Sequence, residues 1–264
     1  MSALWRTAAL VVALLTGPTA RAGRPCEPEP PTVAEVQQGL ALAVRTEAAL
    51  QASGASVVLL ARAGQDLSAY RLRWSHMGWA YRQTDASGQA SWRVVHKLNH
   101  CGSDQAQVYR QGLAEFFLDR PWRYEAAYLV PTPELQTRLL PLLQDDARVL
   151  RWHEPRYNML AYPWSTRYQQ SNQWAIETLA GAADEGASDR PRAQAWLQLR
   201  GFTPTVLHLG PLTRLGARAT RANIAFDDHP NDKRFADRIE TTTVDAVVDW
   251  LQIAQLGGPV QTVR

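Results

Sequence analysis

Residues 70–81, which read YRLRWSHMGWAY, constrain the fold more than any other stretch of the chain. The first half alternates apolar residues with arginines, and this period of two is typical of a half-buried strand. His76 and Gly78 then interrupt the pattern. A glycine inside a strand often marks a bulge or a close approach by another group. The stretch therefore predicts a strand that places an ionisable ring beside an unshielded backbone, although a core histidine with a satisfied hydrogen bond would leave the same pattern.

A second strand candidate follows after a short turn. Residues 85–88 read DASG, and residues 91–98 alternate again between two faces. Two alternating segments joined by a short glycine-containing turn predict a β-hairpin. We therefore expect His76 and His96 to lie on neighbouring strands of one antiparallel sheet.

Residues 157–177 form a third informative segment. Its first half is aromatic and irregular, and Pro163 interrupts it, whereas its second half carries a helical apolar stripe from about residue 172. Ser171 is therefore predicted at a helix N-terminus, where free N–H groups and the helix dipole favour a developing anion. Serine is also a preferred helix cap. The position alone leaves both a cap and a nucleophile open.

The remaining segments predict a mixture of helices and strands. A threonine cap opens a helix that ends near residue 51, and proline follows a second threonine cap at residue 133. The predicted helices are 33–51, 108–117, 133–143, 192–200 and 243–253, and the further strands are 56–62, 124–130 and 202–209. The pattern predicts an α+β fold with an antiparallel sheet packed against helices and a helical C-terminal third.

The N-terminus has the layout of a secretory signal peptide. Arg6 precedes an apolar run over residues 8–15, and a small-x-small cleavage site ends at Ala22. The run is too short to span a bilayer. We expect residues 1–22 to be removed and residues 23–264 to form one exported domain, periplasmic or secreted, without an integral membrane segment.

Charge excludes two classes of partner. Removal of the signal peptide, which contains Arg6 and Arg21, lowers the formal net charge from +3 to +1. No run of lysine and arginine is visible in the remaining sequence. Nucleic-acid and anionic membrane surfaces need clustered basic residues, so we expect neither partner.

The chain contains two cysteines, Cys26 and Cys101. Two thiols in an exported protein usually pair, because the compartment is oxidising. A disulfide between them would tie the N-terminal arm to the loop after the second hairpin strand. A reactive thiol has little support, since only His100 lies beside Cys101 to lower its pKa.

Asp227, Asp228 and His229 are consecutive, and such residues can bind a metal or form an acid–base set. Adjacent ligands point at one ion only across a sharp turn. An Asx-type turn before Pro230 explains the cluster better. We therefore predict no metal site and no cofactor.

Taken together, these segments resemble circularly permuted papain-like hydrolases and acyltransferases of the NlpC-related and lecithin:retinol acyltransferase kind. Those proteins carry His-x-Gly on one strand, a second polar residue on the next, and Asn-Cys-Glu-His-Phe or a similar motif at a later helix start. The corresponding order here is His76-Met77-Gly78, His96 and Gln170-Ser171-Asn172-Gln173-Trp174. Most of the mature chain also resembles an uncharacterised family of exported bacterial proteins.

The resemblance implies a permuted papain-like domain with Ser171 as nucleophile, His76 as base and His96 as orienter. Serine stands where the family has cysteine, and a hydroxyl is harder to ionise than a thiol. Two functions remain open. One is an envelope hydrolase or acyltransferase that acts on amide or ester bonds. The other is a non-catalytic envelope protein that binds a small molecule, a lipid, a peptide or peptidoglycan in the same cleft, with walls from Trp74, Trp79, Trp164 and Trp174.

Overall fold

The computed structural model describes residues 30–264, and this part of the chain contains nine α-helices and eight strands. In chain order they are α1 (Val33–Ala52), β1 (Val57–Ala63), β2 (His76–Thr84), β3 (Ala90–Asn99), β4 (Ala106–Gly112), α2 (Leu113–Phe117), β5 (Arg123–Leu129), α3 (Pro133–Gln144), α4 (Asp146–Val149), α5 (Ser171–Ala183), α6 (Arg190–Leu199), β6 (Thr205–His208), α7 (Pro211–Thr220), α8 (Asn231–Phe235), β7 (Arg238–Thr241), α9 (Val244–Ile253) and β8 (Gln261–Val263).

Six strands form one sheet in the order β4-β3-β2-β1-β5-β8, and every neighbouring pair is antiparallel. The expected α+β class and the antiparallel sheet are therefore confirmed. The predicted hairpin is also confirmed, because Trp79 pairs with Val95 and the turn closes with a hydrogen bond from Asp85 N to Gln89 O of 3.0 Å.

The sheet separates two hydrophobic cores. Met77 and Trp79 belong to the core that includes Trp174 of α5, whereas Ala80 and Val94 belong to the core that includes Phe116 of α2. Successive side chains of a strand point to opposite faces. Along β2 and along β3, successive side chains therefore belong to different cores.

Helix α1 begins as the sequence predicts. Thr32 Oγ1 accepts a hydrogen bond from Glu35 N, and the Glu35 carboxylate accepts one from Thr32 N. This reciprocal capping box satisfies two N–H groups that a helix start otherwise leaves unpaired. The cap fixes the entry of the helix that covers one face of the sheet.

The strand predicted from residue 70 begins later, at His76. The residues before it form a 3₁₀ turn over Ser68–Tyr70, and Arg71 has a left-handed φ of 59°. Trp74 is nevertheless buried. Its backbone N–H and that of the preceding residue donate to the Asp245 carboxylate, and these two bonds hold the loop against the core. Tertiary contacts of a loop, rather than a pleated strand, produce the alternation there.

Two further expectations are corrected. Residues 108–117 contain the end of strand β4 and the short helix α2 instead of one helix. The C-terminal third is mixed rather than helical, since β6 and β7 pair in a two-stranded sheet and β8 returns to the edge of the main sheet.

Two sequence predictions involve residues outside the described range of 30–264. These are the signal peptide over residues 1–22 and the pairing of Cys26 with Cys101. Both stay predictions. Within the described range, none of the helices is long and apolar enough to cross a membrane.

Candidate functional site

His76 and His96 lie side by side on β2 and β3, as the hairpin predicts. His76 Nε2 is 2.8 Å from His96 Nδ1, and the ring centroids are 5.1 Å apart in a T-shaped arrangement. His96 Nε2 is in turn 2.8 Å from Gln111 Oε1. The amide oxygen can only accept, so His96 donates through Nε2 and accepts the Nε2–H of His76 at Nδ1. The three side chains form a directed hydrogen-bond chain.

Gly78 explains how the two imidazoles meet. A Cβ at this position would lie 2.7 Å from His96 Cβ and 2.8 Å from Val95 O. The pairing of β2 with β3 runs without a register shift, so the glycine reflects a close approach and not a bulge. The absence of a side chain lets His96 cross the strand toward His76.

The pair is enclosed on the face of the sheet that carries α2. The Phe116 ring lies 6.0 Å from the His76 ring and 5.2 Å from the His96 ring, and the Arg62 guanidinium stacks over Phe116 at 4.7 Å. Burial and the nearby Arg62 charge lower the pKa of His76 well below its usual value and the pKa of His96 to about 3. Both imidazoles are therefore neutral near pH 7.

Ser171 is the first residue of α5. Ser171 is not the helix cap, which was the alternative role that the sequence left open. The cap is Gln170, whose side-chain oxygen accepts from Asn172 N at 3.3 Å. Ser171 is only 6% exposed, and its hydroxyl is hydrogen-bonded to Tyr157. Burial raises the pKa of the Tyr157 phenol, while the bond to Ser171 opposes this rise.

Helix α5 and the imidazole pair lie on opposite faces of the sheet. Helix α5 packs on the face of Trp79, whose indole N–H donates to Ala175 O at 2.9 Å. The imidazoles share the other face with Phe116. Among the hydrogen bonds of residues 30–264, none joins Ser171 to His76 or His96. The structure thus brings the two histidines together but does not form the serine–histidine contact that the resemblance implies.

A buried ionic network, which sequence reasoning missed, supports the start of α5. The Glu177 carboxylate is fully buried and lies 2.8 Å from Arg190 Nε. It also accepts hydrogen bonds from three glutamine side chains, Gln169, Gln173 and Gln194. The sequence carried one signal for this network, a glutamate on a largely apolar helix. A carboxylate on a buried helix needs a buried partner.

Lys97 is a second buried ionisable group close to the start of α5. Its Nζ donates to Glu154 O at 2.6 Å, to Gln169 O at 3.0 Å and to Gln169 Oε1 at 2.8 Å. Burial lowers the pKa of Lys97 to about 7. Three oxygen acceptors match the three donors of an ammonium group, so the amine ties together two parts of the segment that joins α4 to α5.

A cavity of about 360 Å³ opens beside this helix start. Its lining is polar and basic, and consists of Asp104, Tyr157, Tyr168, Arg218, Arg221, Ala222 and Ala225. Tyr157 connects the cavity to Ser171. The tryptophans expected as cleft walls are not among the lining residues, and Trp79 and Trp174 are fully buried in the core.

The Asp227–His229 segment is a turn that holds two parts of the C-terminal region together. His229 Nδ1 is 3.1 Å from Asp228 Oδ1, and its Nε2 is 2.9 Å from Glu240 O. Asp228 Oδ2 accepts from Tyr162 N at 2.8 Å. Over residues 30–264, no group of three or more His, Cys, Asp or Glu side chains is arranged to hold a metal ion. Both ring nitrogens are engaged, which gives this imidazole a structural role.

The sequence model of one bacterial family matches residues 49–251. That family is described as "Uncharacterized protein conserved in bacteria (DUF2145)". The matched span is more than half of the chain and contains both histidines, Ser171 and the cavity. No curated protein and no solved structure matches the chain.

Proposed function

We propose that this chain, which belongs to the bacterial family DUF2145 of uncharacterised proteins, is an exported, non-catalytic protein of the cell envelope that binds a small molecule. The observation that carries the proposal is the cavity beside α5, which reaches Ser171 through Tyr157; the packing of α5 and of the imidazoles on different faces of the sheet supports it. Export rests on the predicted signal peptide over residues 1–22.

The cavity is large enough to hold a small molecule. Its volume of about 360 Å³ lies at the lower end of the range of roughly 300–1,000 Å³ that is usual for ligand pockets. Five of its seven lining residues are polar or charged, which favours a polar ligand over a lipid tail. Among the ligand classes open from the sequence, a small polar molecule therefore has the most support.

The alternative is a hydrolase or acyltransferase with Ser171 as nucleophile. A serine hydroxyl needs a general base within hydrogen-bonding reach. The hydroxyl contacts Tyr157, whose raised pKa keeps it protonated and makes it a poor base. The nearby Lys97 amine is held by three oxygen acceptors. The surroundings of Ser171 thus favour binding over catalysis.

We expect a fluorophosphonate serine-hydrolase probe to leave the mature protein unlabelled at pH 7–8. The reason is that Ser171 is buried and lacks a base that could activate it. Intact-mass measurement of the wild type and of Ser171→Ala, beside an active serine hydrolase as positive control, provides the readout. Labelling that maps to Ser171 and disappears in Ser171→Ala would refute the non-catalytic function.

A further inference from the structure

We infer that the cavity beside α5 binds a small oxyanion, a carboxylate or a phosphate, that also carries a hydrogen-bond donor. This inference rests on the ligand-binding function proposed above and specifies its ligand. It follows from the charges of the lining residues, from the way they are held, and from the size of the cavity.

The basic wall comes from the end of α7. Arg218 lies in the last turn of this helix, Arg221 is the extended residue that directly follows it, and both line the cavity. Arg218 Nη1 donates to Ile224 O at 3.1 Å, which anchors the guanidinium at the cavity. A guanidinium has five N–H donors in a planar fork that matches carboxylate and phosphate oxygens. Two such residues in the lining of one cavity favour an oxyanion.

Two other lining residues, Tyr157 and Tyr168, are held in place before a ligand arrives. The backbone carbonyl of Tyr168 accepts from Arg190 Nη2 at 2.9 Å, and Arg190 is itself fixed by buried Glu177. Tyr157 donates its backbone N–H to Asp104 O, and its phenol is bonded to Ser171. Rigid lining groups lower the entropy cost of binding. The network beneath α5 therefore holds the backbone at Tyr168, and the bond to Ser171 holds the Tyr157 phenol.

Asp104 sets the second requirement on the ligand. Its carboxylate stands in a cavity that otherwise presents two guanidinium groups, so the lining carries one net positive charge. A carboxylate repels a second anionic group and accepts hydrogen bonds from a hydroxyl or an ammonium group. The lining thus matches a small molecule with one anionic group and one donor. A volume of about 360 Å³ limits its size.

Calorimetric titration of the mature full-length protein with three small probes tests the inference. Lactate has a carboxylate and a hydroxyl, propane-1,2-diol lacks the carboxylate, and inorganic phosphate supplies the other oxyanion. We expect lactate or phosphate to bind and the diol not to bind, and the preference between the two anions identifies the oxyanion source. Arg218→Gln and Arg221→Gln should each weaken binding about tenfold or more, because each removes charged hydrogen-bond donors.

Arg148→Gln is the matched control, because Arg148 is an exposed arginine on α4 that does not line the cavity. The affinity of this variant for each probe should equal that of the wild type. Binding of none of the three probes would overturn the inference, as would equal binding of the diol and lactate or unchanged affinity in both cavity variants. Binding of the diol alone would leave the ligand-binding function intact. Ester hydrolysis that is lost in Ser171→Ala would instead overturn the non-catalytic function without touching the oxyanion inference.

Discussion

Replacing Arg190 by methionine is expected to destabilise the folded protein by about 3–5 kcal/mol, the usual range when one partner of a buried ion pair is removed. Arg190 is 8% exposed and Glu177 is fully buried, so the remaining carboxylate would be left in the interior without its ion-pair partner. Methionine preserves the bulk and helix propensity of the first residue of α6. The loss would therefore report mainly on charge and hydrogen bonding.

The same substitution also frees the chain before α5. Arg190 donates to three backbone carbonyls in this loop, those of Ser165, Thr166 and Tyr168. Since Tyr168 lines the cavity, the variant should bind its ligand more weakly even under conditions in which it remains folded. Stability and binding should fall together.

Thermal and urea unfolding measure this effect. A domain of this size loses roughly 2–4 °C in Tm per kcal/mol, so we expect a fall of about 6–20 °C. Arg192→Met is the control, because Arg192 forms an exposed pair with Asp189 on the same helix start and should cost less than about 1 kcal/mol. Equal losses in the two variants would show that the buried network does not stabilise the fold as we describe.

Gly78→Ala is expected to cost about 1–3 kcal/mol, the range for overpacking a filled interior. Its Cβ would approach His96 Cβ and Val95 O, and neither atom belongs to the flexible end of a side chain. The two strands would have to separate or His96 would have to turn away. The variant should therefore also lose the 2.8 Å contact between the imidazoles.

Urea unfolding together with imidazole NMR spectra tests this expectation. Gly216→Ala is the control, since a Cβ at this exposed position of α7 meets no atom within 4 Å, and the change should stabilise the protein by about 0.5–1 kcal/mol. A Gly78→Ala variant as stable as the wild type, with unchanged imidazole signals, would contradict the close packing of β2 against β3.

The sequence predicts the histidine pair well because its determinants are local. Alternation on both strands and the turn at residues 85–88 set the hairpin, and the register then brings His76 and His96 together. Helix α1 is predictable for the same reason, because Thr32 and Glu35 form a cap from adjacent residues. Local patterns are sufficient where neighbours in sequence make the contact.

The position of Ser171 is not predictable in this way. A shift of one residue along a strand moves a side chain to the other face of the sheet. His76 and Ser171 follow each other along the chain in the order of the motif, but this order does not determine which face of the sheet α5 covers. The large apolar side chains at Met77 and Trp79 were the available signal, because they alternate with Gly78 and Ala80 and belong to the core that contains α5.

The buried charges and the cavity escape prediction for a different reason. Glu177 and Arg190 are separated by a loop, and Lys97 is an apparently ordinary polar residue of a strand. The cavity joins Asp104, Tyr157 and Arg221, which lie far apart in sequence. Such contacts depend on how separate segments pack, and no local spacing encodes them.

The most direct test of the separation between Ser171 and the histidines is the reactivity of a thiol placed at position 171. The rate of alkylation by iodoacetamide is measured from pH 5 to 10 in Ser171→Cys and in Ser171→Cys combined with His76→Gln. Because the sheet lies between the two sites, we expect slow alkylation with the same apparent pKa in both variants. Fast alkylation below pH 7 that is lost when His76 is replaced would show that the imidazole reaches position 171, and would contradict the arrangement described here.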